Sequence, residues 1–163
     1  MDLAGVLRLG HAFAGVAFVA GLVGYWFVLG MASRADSLPS MRLLLRAARP
    51  FGALVTGGGI GLSILGIAAA VALGRPLLGP IQGGRVDWMF VSVLLMLPIF
   101  AFLVAIYPRF ARSLRAALAP ADEAGTITPE IATAWADPVY RFARRYELTA
   151  VLIVLGLMIA KPF

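Results

Sequence analysis

The sequence predicts an all-α fold, a polytopic membrane protein built as a four-helix transmembrane bundle with short interfacial helices. Two observations lead to this prediction. Of the 163 residues, 61% are hydrophobic and only 13% are charged, and the mean hydropathy of +0.93 is far above that of a soluble domain. Several uncharged runs also approach the roughly 20 apolar residues that a helix needs to cross a hydrocarbon core about 30 Å thick.

Three uncharged runs predict the first three membrane spans. They contain no Asp, Glu, Lys or Arg and lie at about 11–31, 51–74 and 88–107. A fourth span, at about 146–161, is shorter, because its uncharged part covers only about 20 Å at about 1.5 Å per residue. Its helix can begin earlier, near Val139, with basic side chains reaching outward to the headgroups. Together the spans predict a single integral membrane domain over residues 1–163.

The distribution of basic residues predicts the orientation, because cytoplasmic loops of membrane proteins are enriched in Lys and Arg. The connections after the first and third spans hold most of them: Arg34, Arg42, Arg46, Arg49, Arg109, Arg112, Arg115, Arg141, Arg144 and Arg145. The opposite side holds Arg8, Arg75, Arg85 and Lys161. We therefore expect a multi-pass protein of the bacterial cytoplasmic (inner) membrane with both termini outside and two cytoplasmic loops.

The connections carry turn and helix signals. Arginines at i, i+4 and i+7 predict a basic amphipathic interfacial helix over 41–49. The Pro, Asp and Gly of residues 120–125 predict a loop. Thr128 and Asp137 each precede a proline, and this pattern predicts two helix starts, the second of which launches the fourth span.

His11 is the only histidine and lies at the outward end of the first span. A neutral imidazole there serves either as a haem ligand, a copper ligand or a proton carrier, or as an interfacial side chain bonded to a backbone carbonyl. With no cysteine and one histidine, a self-contained zinc or di-haem site is excluded. The sequence thus predicts no cofactor, with haem b or copper at His11 as the alternative.

Small residues on the first two spans predict close helix packing. They are Gly21 and Gly24 on the first span and Gly57, Gly61, Ser63 and Gly66 on the second. A substrate-lining unwound segment is the alternative interpretation of these glycines. Pro98 predicts a kink in the third span, which is found in transporters and in plain bundles alike.

The formal charge of +6 on a bilayer protein indicates orientation and lipid contact rather than nucleic-acid binding. The expected partners are the bilayer and its anionic headgroups, with other membrane subunits or a second copy as further candidates. The arginines that either set topology or bind headgroups or an acidic partner are Arg42, Arg46, Arg49, Arg109, Arg112, Arg115, Arg141, Arg144 and Arg145. Trp135 and Tyr140 either dock a partner or pack locally.

Several features recur together along the chain. They are four spans in about 160 residues, the early Leu9-Gly10-His11, a glycine-rich second span, Trp88 opening the third, and the ending Leu157-Met158-Ile159-Ala160-Lys161-Pro162. In these features the chain resembles the bacterial integral membrane proteins catalogued as domain of unknown function 2269, although Val16 to Gly21 replaces their Trp-x-Gly-Gly pattern. The resemblance implies a bacterial cytoplasmic-membrane protein and no assigned activity. A more distant likeness to copper-resistance membrane proteins points to the metal alternative.

No predicted span contains a carboxylate or a base in its apolar run, which removes the usual parts of proton relays, voltage sensors and charged-substrate paths. No catalytic set of residues is found either. We therefore expect a non-enzymatic structural or accessory membrane subunit. The alternatives are a haem- or copper-binding protein that uses His11, and a small-molecule or lipid transport component that uses Pro98 and the glycines.

Overall fold

The structure, a computed structural model, describes residues 2–161. It is 85% helical, and those residues form no strand, which confirms the predicted all-α class. The chain divides into two compact units, Met1–Pro76 and Leu77–Phe163. Pro162, which belongs to the terminal motif, lies outside the described residues, as do Met1 and Phe163.

The first unit is an antiparallel pair of long helices, α1 (Leu3–Ala32) and α2 (Leu38–Ala72). Asp2 caps α1 by accepting a hydrogen bond from the backbone N–H of Gly5 at 2.9 Å. Ser37 occupies the cap position of α2. Each cap satisfies a backbone donor that has no partner inside the helix.

Residues 41–49 are helical as predicted, but they do not form an element of their own, because they belong to the first turns of α2. The helix continues through Pro50 into the apolar run without a break. Proline removes one backbone hydrogen bond, but within long spanning helices neighbouring groups satisfy the freed carbonyl, and prolines are tolerated there. The arginines of this segment therefore lie on the same helix as the predicted second span, not on a separate helix.

The described part of the second unit, up to residue 161, contains five α-helical or π-helical elements after a short 3-10 turn at Gly79–Gln82. They are α3 (Trp88–Ala101), a π segment (Phe102–Ile106), α4 (Tyr107–Ala124), α5 (Pro129–Trp135) and α6 (Pro138–Ala160). Asp87 caps α3 by accepting from the backbone N–H of Phe90 at 2.9 Å. The predicted start of the third span at Trp88 is thus confirmed.

The π segment follows Pro98 by one turn, inside the predicted third span. The backbone N–H of Tyr107 bonds to the carbonyl of Phe102, which is the wider π spacing. Such irregularities accompany helix kinks and are frequent at functional sites. The helical run nevertheless continues from Trp88 to Ala124.

The predicted loop over 120–125 is wrong, because α4 runs to Ala124 and ends at Gly125, whose φ of +67° suits glycine. Pro120 lies inside the helix. Ala117 and Ala121 are almost fully buried, so packing of this face outweighs the lost backbone bond of the proline.

Both predicted helix starts in the last connection are confirmed. Thr128 has the extended backbone of a cap residue before α5. Asp137 caps α6, its Oδ1 accepting from the backbone N–H groups of Val139 at 2.8 Å and Tyr140 at 3.1 Å. A proline occupies the first helical position in each case, where its missing N–H costs nothing.

Three helical runs are long and apolar enough to cross a membrane, namely Leu3–Ala32, Leu38–Ala72 and Trp88–Ala124. They support the prediction of a membrane protein and contain most of its first three predicted spans. Helix α6 is not among them, because Arg144, Arg145 and Glu147 precede its uncharged run, which covers only residues 148–160. The fourth span and the four-helix bundle stay predictions.

Candidate functional site

The backbones of α1 and α2 approach each other closely at two glycines. A β-carbon on Gly58 would lie 2.7 Å from the backbone nitrogen of Phe18, and one on Gly21 would lie 2.8 Å from the backbone nitrogen of Val55. Real β-carbons do not come this close to backbone atoms, so only glycine allows the two helices to touch here. Gly58 was missed by the sequence analysis.

The other predicted packing residues have different surroundings. A β-carbon on Gly24 would overlap the ring of Phe51, and one on Gly61 would lie 3.3 Å from the β-carbon of Ala14. The hydroxyl of Ser63 donates to the carbonyl of Gly59 on its own helix at 2.8 Å.

Gly57 differs from these residues. It is exposed, and a β-carbon there would meet no described atom within 4 Å. Although Gly57 and Gly58 are neighbours in sequence, about 100° of helix rotation separates their directions. The seam between α1 and α2 therefore involves Gly58 and not Gly57.

His11 lies against α2 in a notch made by Gly66. Its Nδ1 is 2.9 Å from the carbonyl oxygen of Leu62, and a β-carbon on Gly66 would lie 2.8 Å from the imidazole Cε1. A carbonyl only accepts hydrogen bonds, so Nδ1 carries the proton and donates it. In the neutral imidazole, Nε2 then holds the lone pair, which is the arrangement in which a histidine binds a metal.

The surroundings of His11 do not complete a metal site by themselves. Within residues 2–161, no group of three His, Cys, Asp or Glu side chains is placed to hold a metal ion. A copper ion at His11 would therefore need donor atoms from elsewhere. A haem iron needs less from this chain, since one axial nitrogen suffices to hold it.

Glu147 is a buried carboxylate that sequence reasoning missed. It is 1% exposed and lies on the buried face of α6 with Tyr140, Ala143, Ala150 and Val154. It falls within the predicted span 146–161, just before the uncharged part of that span. The 3- and 4-residue spacing of that buried face is the signal that could have found it.

Tyr107 donates a hydrogen bond to this buried side chain. Its hydroxyl lies 2.5 Å from Oε2 of Glu147. Glu147 directly precedes the uncharged run 148–160 of the predicted fourth span, so none of the apolar runs contains it. Burial of an ionisable side chain is costly unless it is hydrogen-bonded.

A second tyrosine bond joins α6 to α3 on the other side of the π segment. The hydroxyl of Tyr146 donates to the carbonyl of Leu95 at 3.1 Å, and its ring meets that of Phe102 edge-on, with centroids 5.5 Å apart. Tyr146 and Glu147 are adjacent in sequence. Two consecutive residues of α6 are therefore bonded, the first to α3 before the π segment and the second to α4 after it.

Trp135 and Tyr140 belong to an aromatic cluster with Phe110. The rings of Phe110 and Tyr140 stack with centroids 3.6 Å apart and planes 6° apart, and the Trp135 centroid lies 5.2 Å from that of Phe110. Tyr140 is 2% exposed. These contacts favour local packing over partner docking for both residues, and they join α4, α5 and the first turn of α6.

The predicted headgroup arginines are mostly exposed. Arg42 and Arg144 are half-buried, and each takes part in an interaction within the chain. The exposed members are Arg46, Arg49, Arg109, Arg112, Arg115, Arg141 and Arg145. The exposed arginines of the second unit lie next to the apolar runs of α3 and α6 in the sequence.

The chain was compared with protein-family models, with curated proteins and with solved structures. Its resemblance in four-span layout and terminal motif to the proteins of domain of unknown function 2269 is neither supported nor opposed by these comparisons. None of the three comparisons finds a match.

Proposed function

We propose that the chain is a non-enzymatic, multi-pass protein of the bacterial cytoplasmic membrane that acts as a structural or accessory subunit. The backbone contact at Gly21 and Gly58 carries the proposal. It brings α1 and α2 into direct contact at these two positions, as expected for a packing surface. Their outward faces expose large apolar side chains such as Phe13 at 68% and Ile64 at 62%, as lipid contact or a neighbouring subunit requires.

Affinity purification from the native membrane in a gentle detergent tests the accessory role. We expect a second protein to co-elute in a fixed ratio, identified by mass spectrometry. Purification of the chain alone from cross-linked and uncross-linked membranes would overturn the accessory role. The membrane location is tested separately, by resistance of the chain to alkaline carbonate extraction.

The topology that belongs to this proposal is a four-helix bundle with both termini outside. Because the natural chain has no cysteine, single cysteines report sidedness directly. We expect Gln82→Cys and Lys161→Cys to react with an impermeant maleimide in cells whose inner membrane is intact. Asp36→Cys should react only after that membrane is permeabilised.

Lys161→Cys decides whether α6 crosses the bilayer. Labelling on the same side as Gln82→Cys supports four spans. Labelling on the side of Asp36→Cys would instead establish three spans, with α6 returning to the cytoplasmic face. Unlabelled Gln82→Cys before permeabilisation would overturn the predicted orientation.

A haem or copper protein is the second candidate, favoured by the bond from His11 Nδ1 to the carbonyl of Leu62. That bond leaves Nε2 as the donor atom for a metal, and metal-binding histidines commonly have their other nitrogen held in this way. The purified protein should then show a Soret band or bound copper that His11→Ala removes. A featureless visible spectrum together with a metal-free protein, before and after addition of hemin or copper, would eliminate this candidate.

A further inference from the structure

The connection that precedes α3 contains an uncharged apolar segment. Residues 76–84 include no Asp, Glu, Lys or Arg, and the 3-10 turn Gly79–Gln82 lies in their middle. In this segment Leu78 is 42% exposed and Ile81 is 77% exposed. Two large apolar side chains therefore lie on the surface of a connection, where polar residues are the rule.

Leu78 and Ile81 lie on the same side of the turn. A 3-10 helix has three residues per turn, so side chains three positions apart are aligned. The backbone N–H of Ile81 donates to the carbonyl of Leu78 at 3.0 Å, which is the hydrogen bond of that geometry. The two side chains form one apolar ridge, whereas Gln82 is displaced from Ile81 by a third of a turn.

A contact with α3 sets the depth of the turn. A β-carbon on Gly79 would lie 3.1 Å from the Cβ of Phe90, so the turn lies beside the first turn of α3. Phe90 is two residues, or about 3 Å, further into that helix than Trp88. The membrane location on which this inference rests places Trp88 at the interface, as is common for tryptophan. The apolar ridge then lies where the headgroups meet the acyl chains.

The backbone of the turn is suited to this depth, because backbone polar groups without a partner are costly in lipid. The N–H of Leu78 donates to Oε1 of Gln82 at 2.8 Å, and the N–H of Gly84 donates to the carbonyl of Gly79 at 3.0 Å. Pro80 has no N–H that needs a partner. These groups are therefore satisfied inside the segment and do not depend on water.

We propose that this turn is inserted into the leaflet at the N-terminal end of α3, with Leu78 and Ile81 in contact with lipid acyl chains. Removal of such side chains from water is favourable, and the segment 76–84 brings no charge with it. The apolar ridge and Trp88 together anchor this end of α3 at the interface. Gln82, on another side of the turn, stays in reach of water-soluble reagents.

The accessibility of spin labels in vesicles tests this proposal. Because the natural chain has no cysteine, Ile81→Cys and Leu78→Cys can each carry a single nitroxide in the full-length protein, reconstituted with phosphatidylethanolamine and phosphatidylglycerol. Dissolved oxygen concentrates among acyl chains, whereas a neutral nickel chelate stays in water. The matched control is Arg85→Cys, which replaces an exposed charged residue of the same connection. We expect a several-fold higher ratio of oxygen to nickel accessibility at residues 78 and 81 than at residue 85.

Two results would overturn the inserted turn. Equal ratios at residues 81 and 85, with ready access of the nickel chelate to both, would place the apolar ridge in water. An immobile label at residue 81 that neither reagent reaches would show that protein, not lipid, covers the ridge. The alkaline extraction test is independent of these labels. A chain that resists extraction while the label at residue 81 contacts water would refute only the inserted turn, whereas release of the chain would refute the membrane location itself.

Discussion

Replacing Gly58 with leucine should separate α1 from α2, whereas the same replacement at Gly57 should leave the pair intact. At Gly58 the new β-carbon would lie 2.7 Å from the backbone of Phe18, so the helices must move apart. Overpacking of this kind costs about 1 to 3 kcal/mol when side chains can adjust, and more when backbone must move. At Gly57 the side chain enters open space, and the better helix propensity gives about 0.5 to 1 kcal/mol of stabilisation.

Disulfide cross-linking between the helices reports on this contact directly. The β-carbon position of Gly61 lies 3.3 Å from the β-carbon of Ala14, near the about 3.8 Å of a disulfide. The pair Ala14→Cys/Gly61→Cys should therefore cross-link in the natural background and with Gly57→Leu, and much less with Gly58→Leu. Equal cross-linking and equal stability of the two leucine variants would contradict the proposed seam.

Removing the hydroxyl of Tyr107 should destabilise the second unit more than removing that of Tyr146. Tyr107→Phe deprives the buried carboxyl group of Glu147 of a hydrogen bond, and a buried polar group that loses its partner costs about 1 to 3 kcal/mol. Tyr146→Phe removes a bond to the neutral carbonyl of Leu95, at about 0.5 to 1.5 kcal/mol. Both variants delete one oxygen from an aromatic ring, so each serves as the size-matched control for the other.

A double-mutant cycle with Glu147→Gln isolates the interaction between Tyr107 and Glu147. We expect a coupling free energy of unfolding of about 1 kcal/mol or more between these two residues, and none between Tyr146 and Glu147. Unfolding in a denaturing detergent, followed by circular dichroism, provides the measurement. Additive effects of Tyr107→Phe and Glu147→Gln would show that this bond contributes nothing to the folded state.

The helix starts were predicted correctly from the sequence, because the interactions that cap a helix act within one helical turn. Asp87 and Asp137 each bond to backbone N–H groups two or three residues ahead, which depends on little beyond the neighbouring residues. The loop predicted over residues 120–125 was wrong for the opposite reason. Its proline and glycine favour a loop locally, but Ala121 is buried completely, and that burial is a tertiary fact.

What the sequence determined by itself is the environment of the chain and its helical class. Uncharged runs of membrane length identify spanning segments from sequence. The free energy of transferring a side chain from water into the bilayer depends mainly on its residue type and little on the fold. The tertiary structure decided which side chains meet. It selected Gly58 over the adjacent Gly57, placed His11 against Gly66, and buried Glu147 beside Tyr107, because each choice depends on the rotation and register of one helix against another.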